Sequence, residues 1–99
     1  MKGYLVANVT AVTDPDRYAA YRAQLPPVVE QFGGRFLIRG GAIHAKEGDL
    51  GFARMVVIEF PTLDAAQRFY GSAEYAPLIQ MRQDSAEARV AIVEGFAAT

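Results

Sequence analysis

The chain has 99 residues, 52% of them apolar and 21% charged, a composition that supports one globular domain over residues 1–99 and excludes a disordered chain. Its formal net charge of -1 gives no electrostatic pull toward a nucleic-acid backbone, so no nucleic-acid partner is expected. The lack of any cysteine removes disulfides, thiol nucleophiles, thiolate zinc sites and iron-sulfur clusters together.

The opening MKGYLVANVTAVTDPD has one lysine and then a short β-branched run reaching an acid, without the small-residue cleavage pattern of a secretory leader. No stretch approaches the length needed to span a bilayer. The expectation is a soluble cytoplasmic protein with no membrane partner.

Tyr4 to Thr10 (YLVANVT) is apolar on both faces except at Asn8, which predicts a central strand. Asp14 and Pro15 then announce a helix, as cap and first helical residue. Tyr18, Tyr21, Leu25, Val28, Val29 and Phe32 follow at helical spacing as one buried stripe. Pro26 and Pro27 each remove a backbone donor and crowd the preceding turn, so a kink or two shorter helices are expected. Gly33 and Gly34 end the segment and RFLIR opens a second strand. Gly40 and Gly41 break or bulge that strand before AIHAKEG continues it, and a loop at Gly48 to Gly51 follows.

The third strand runs from Ala53 to Phe60. Thr62 caps the next helix, Asp64 lies in its first turn, and Ala66, Phe69 and Tyr70 face inward until Gly71 stops it. Ser72 caps another short helix with Tyr75, Leu78, Ile79 and Arg82 on one face. Arg89 to Glu94 makes a fourth strand, and GFAAT is a tail.

The order is β-α-β-β-α-β with the second helical region split in two. It predicts an α+β, ferredoxin-like fold with a four-stranded antiparallel sheet and strands one and three in the centre. On the third strand Val56, Ile58 and Phe60 point one way, Met55 and Val57 the other. Helices of so short a chain cover one sheet face only, so the other needs a partner, expected to be a second copy. Burying a Val, Ile or Phe side chain is worth roughly 1.5–3 kcal/mol, so leaving four or five exposed forfeits on the order of 10 kcal/mol.

FGGRFLIRGG, VVIEFPTLDAAQRFYGSAEY and VAIVEG resemble an uncharacterised family of short bacterial proteins, a domain of unknown function within the dimeric α/β-barrel superfamily. The resemblance covers nearly the whole chain and implies two ferredoxin-like protomers packed sheet against sheet. The wider superfamily includes cofactor-free monooxygenases, isomerases, haem-dependent relatives and proteins without known activity. It implies no catalytic residue set, because none is established for the family.

Candidate site residues follow from the residues themselves. His44 is the sole histidine and sits on the expected second half of an edge strand. It is either a general base or an ordinary edge residue, and without companions it makes no metal site. Glu59 lies in a strand otherwise made of Met, Val, Ile and Phe. Enclosed, it would become an acid or base with raised pKa, or pair with Arg39 or Arg82; otherwise it is a strand-end carboxylate or structural ion pair. Asn8 must find partners if buried, either a ligand oxygen or neighbouring protein groups, and it would share a pocket mouth with Glu59. Tyr18, Tyr21, Phe32, Phe69, Tyr70 and Tyr75 either line a flat apolar cavity with hydroxyls at its rim or simply fill the core. The glycine pairs fit no phosphate-binding pattern and read as turn and bulge residues.

These observations give a homodimer that binds or transforms a small aromatic or carbonyl-containing metabolite without metal or tightly held cofactor. Glu59 or His44 would move protons, and Asn8, Tyr18, Tyr21, Arg39, Tyr70 and Arg82 would contact the ligand. The alternatives are a noncatalytic stress-associated or scaffold dimer, and a haem protein with His44 as axial ligand.

Overall fold

The computed structural model describes residues 1–97, so the last two residues of the expected tail lie outside it. The elements run β1 (Gly3–Val12), α1 (Pro15–Gln31), β2 (Arg35–Arg39), β3 (Arg54–Phe60), α2 (Leu63–Tyr70), α3 (Ala76–Ser85) and β4 (Ala86–Glu94). The sheet is antiparallel with order β2-β3-β1-β4, so the two most continuously apolar strands are central. This is the ferredoxin-like α+β arrangement, with the second helical region divided at Gly71.

Local chemistry accounts for most boundaries. Asp14 caps α1 by accepting from the Arg17 N–H at 3.1 Å, and Pro15 follows at the first helical position. Thr62 caps α2 through the Ala65 N–H at 3.0 Å. The Ser72 hydroxyl accepts from the Tyr75 N–H at 3.1 Å and donates to the Phe69 carbonyl at 2.7 Å, which turns the chain from α2 into α3. Gly33 adopts φ +77, the left-handed conformation that closes α1 at least cost with glycine.

Three expectations are corrected. First, α1 runs unbroken through Pro26 and Pro27. Pro26 cannot donate to the Arg22 carbonyl, and Arg39 replaces the lost bond, its guanidinium donating to that oxygen at 2.7 Å. Second, β2 ends at Arg39, its bulge lies at Leu37, and residues 41–53 form no regular element. Gly40 at φ +73 turns the chain out of the sheet after a last bond to the Met55 carbonyl. Third, β4 begins at Ala86, directly after α3. A register shift near Thr10 of β1 lets Ala86 and Glu87 pair with Val12 and Ala11, so sheet pairing overrides the helical preference of Ala-Glu-Ala.

All three helices pack on one face. Leu5, Ala7 and Val9 of β1 and Val56, Ile58 and Phe60 of β3 meet Tyr18, Tyr21, Leu25 and Val29 of α1. Phe69 joins Phe60 at 5.0 Å and Tyr75 at 4.3 Å between ring centres. The opposite face carries Val6 between Val57 and Ala91, and Tyr4 between Glu59 and Val93. The molecule is a slab of 39 × 37 × 17 Å with that face uncovered among the described residues. Val93 is 48% exposed and Ile38 42%, and Phe96 is itself 92% exposed, so the start of the tail leaves this face open.

Candidate functional site

Between α1, α3 and the covered sheet face lies a cavity of about 20 Å³. A water molecule needs about 10–15 Å³ on this scale, so the cavity takes one water-sized group as it stands. Leu5, Ala7, Val56, Ile58 and Val90 form an apolar floor. Tyr21 and Tyr75 also line the cavity, their hydroxyls buried and 2.9 Å apart. Of the expected aromatics, Tyr18, Tyr21 and Tyr75 line this space, while Phe69 fills the core.

Four arginines line this cavity and no Asp, Glu or His does. Arg82 of α3 is 5% exposed, it makes no ion pair among the described residues, and its Nε has no hydrogen-bond partner. Arg54, the first residue of β3, also holds a buried Nε without a partner, with its guanidinium 5.9 Å from the Tyr18 ring centre. Gly40 makes room for it, since a Cβ there would run into the Arg54 guanidinium. Arg22 and Arg39 are exposed and form the solvent end, Arg39 stacking 4.4 Å above Phe36.

Burial, reinforced by neighbouring Tyr75, pushes the Tyr21 phenol far above its ordinary range, so it is a hydrogen-bond donor and not a base. Burial works against the charge on Arg82, but the oxygens of Tyr75, Tyr21 and Tyr70 outweigh it and hold the guanidinium protonated. The walls thus present positive charge and hydrogen-bond donors, an arrangement that can stabilise negative charge.

A family described as "Domain of unknown function (DUF1330)" matches residues 2–96. The chain belongs to the DUF1330 family. No curated protein matches it. Among solved structures it is similar to the RPA0582 protein of unknown function from Rhodopseudomonas palustris, at 19% identity and TM-score 0.69 over 98% of this chain and 84% of that one. A dimeric ferredoxin-like protein of unknown function from Jannaschia sp. CCS1 matches at 15% identity and TM-score 0.75, over 96% of this chain and all of the other. SnoaB, a cofactor-independent oxygenase from Streptomyces nogalater, matches at 12% identity and TM-score 0.56, over 98% and 95%. At such identities these likenesses establish the shared fold.

In this DUF1330 chain Tyr18, Tyr21, Arg39 and Arg82 all line the cavity. Tyr70 packs edge-on against Tyr75 at 5.8 Å and lines a separate shallow depression with Gln67 and Val90. Asn8 and Glu59 lie on the uncovered face, opposite Met55 and Tyr4 respectively, about 13 Å apart along the strands. They share no pocket mouth. The Asn8 Oδ1 is buried without a partner.

Glu59 accepts from Arg35 at 2.9 Å, Lys2 at 3.2 Å and the Tyr4 hydroxyl at 3.1 Å, not from Arg39 or Arg82, which lie beneath the other face. Desolvation raises its pKa, but these three bonds outweigh it and the carboxyl ends below its ordinary value, which fits the structural ion pair and not the alternative of an acid or base with raised pKa. His44 is exposed in the irregular segment, not on a strand. No cluster of three or more His, Cys, Asp or Glu suited to a metal occurs among the described residues.

Arg54 and the role of Tyr75 as the partner of Tyr21 were not singled out from sequence. Arg54 shares strand parity with Val56 and Ile58, and that signal places it on the helix-covered face. No sequence signal pairs Tyr21 with a residue 54 positions away.

Proposed function

We propose that this protein binds a small molecule carrying an aromatic ring or carbonyl group between α1, α3 and the sheet, and works as a homodimer. One observation carries the reading: in a core of Leu, Val, Ile and Phe, two arginines with unmet donors and a hydroxyl pair converge on a single cavity. Folding alone disfavours that arrangement, because an unmet buried donor costs about 1–3 kcal/mol.

Any reaction there would use charge stabilisation at a substrate oxygen, without metal or tightly held cofactor, and would rely on the substrate's own acidity. The fold shared with a cofactor-independent oxygenase is compatible with such chemistry. Glu59 and His44 lie away from the cavity and have no part in this reading.

The homodimer is supported by the uncovered apolar face and by the dimeric state of the Jannaschia protein. Face-to-face packing would bury Val6, Val57 and Val93 and offer the Asn8 oxygen a donor. A thermal-shift screen of small aromatic and carbonyl compounds at fixed protomer concentration tests the ligand reading, with a dose-dependent rise expected for at least one compound. No rise from any member would instead favour a noncatalytic scaffold dimer, a reading favoured by the small cavity and the fully engaged Glu59.

A further inference from the structure

We infer that the cavity is an anion site whose occupant is a small monocarboxylate with an apolar body, its carboxylate at Arg82 and Arg54 and its body against Leu5, Val56 and Ile58. The inference rests on the ligand reading above and narrows it to one charge class.

The donor count argues for an acceptor-only ligand group. Arg82 Nε–H and Arg54 Nε–H have no acceptor. Tyr21 and Tyr75 hold two hydroxyl protons, and the single bond between them uses one. The residues that carry these donors line one space that no carboxylate side chain lines. An ionised carboxylate accepts at roughly four lone-pair sites, more than a water molecule offers. The local charge points the same way: the chain as a whole carries -1 with 11 Asp and Glu, yet arginine is the one charged type on these walls.

The rest of the lining sets the class of anion. A phosphate dianion would press uncoordinated oxygens against Leu5, Ala7 and Val90, at a desolvation cost the floor cannot offset. One planar guanidinium fork matches one carboxylate, and an apolar floor matches an alkyl or aryl body. The cavity holds the head group as it stands, and the body requires it to widen along the floor toward the end where Arg22 and Arg39 are exposed. Burial keeps the Tyr21 hydroxyl protonated, so the pair has one proton left for the same oxygen, from Tyr21 or Tyr75.

Matched acid and amide pairs isolate charge from shape. Calorimetric affinities of the intact protein at neutral pH for benzoate against benzamide, and for butyrate against butyramide, should differ at least tenfold in favour of the acids. Arg82→Gln should abolish that preference, and Arg54→Gln should reduce it. Equal affinity of acid and amide would overturn the carboxylate inference and leave the ligand site standing. No binding of either member of both pairs would overturn both. An Arg82→Gln protein that binds benzoate as the wild type does would also overturn the inference, and should that variant not fold, the wild-type comparison decides alone.

Discussion

Replacing Arg82 by methionine should make the unliganded protein more stable. Arg82 is 5% exposed, has no acidic partner among the described residues, and leaves Nε unmet. An unmet buried donor costs about 1–3 kcal/mol, while the cost of desolvating the charge is outweighed by the oxygens of Tyr75, Tyr21 and Tyr70. Methionine retraces the aliphatic stem and fills irregular space, at a packing loss of about 1 kcal/mol. The balance is a gain of up to about 2 kcal/mol, at about 4–8 °C in Tm per kcal/mol for a domain of this size. Urea unfolding of wild type and variant, at equal protomer concentration and in buffer free of carboxylic acids, measures it. A loss of more than about 1 kcal/mol would mean that Arg82 anchors the fold through the tyrosines, refuting the reasoning that it is kept for a ligand at the expense of stability.

Val57→Lys places an ammonium at the centre of the uncovered face, where burial of an isolated charge costs several kcal/mol. Sedimentation should then show dimer affinity weakened by about three orders of magnitude, and an unchanged dimer would place the interface elsewhere. Glu59 has a lowered pKa, so the stability it contributes is present above its ordinary value of 4.5 and lost as pH falls through the folded value. Tm should therefore drop more steeply below about pH 5 in wild type than in Glu59→Gln; parallel profiles would rule out this linkage. Arg39→Ala removes both the bond to the Arg22 carbonyl and the stack on Phe36, at about 1–2 kcal/mol. Hydrogen exchange should speed up in α1 around Pro26, and unchanged exchange would show that the proline-bearing helix needs no outside donor.

The architecture was readable because local signals agreed. Caps at Asp14 and Thr62, the strand alternation of β3 and the breaks at Gly33 and Gly71 all bound the elements where the structure has them. What could not be read depends on distant partners. The persistence of α1 through Pro26 needs Arg39 from a strand, and the early start of β4 needs the register shift in β1. The candidate site was half legible: Tyr18, Tyr21, Arg39 and Arg82 converge, while Asn8 and Glu59 fall on the other face by strand parity. Glu59 looked chemically sharp because its own strand is apolar, and its three partners come from residues 2, 4 and 35.

Methyl NMR during a benzoate titration tests the site most directly, because both sheet faces carry reporters. Shifts concentrated on Leu5, Val56, Ile58 and Val90, with Val6, Val57 and Val93 still, are the expected result. Shifts confined to Val6, Val57 and Val93, or none on either face at saturating benzoate, would contradict a ligand site beneath the helices.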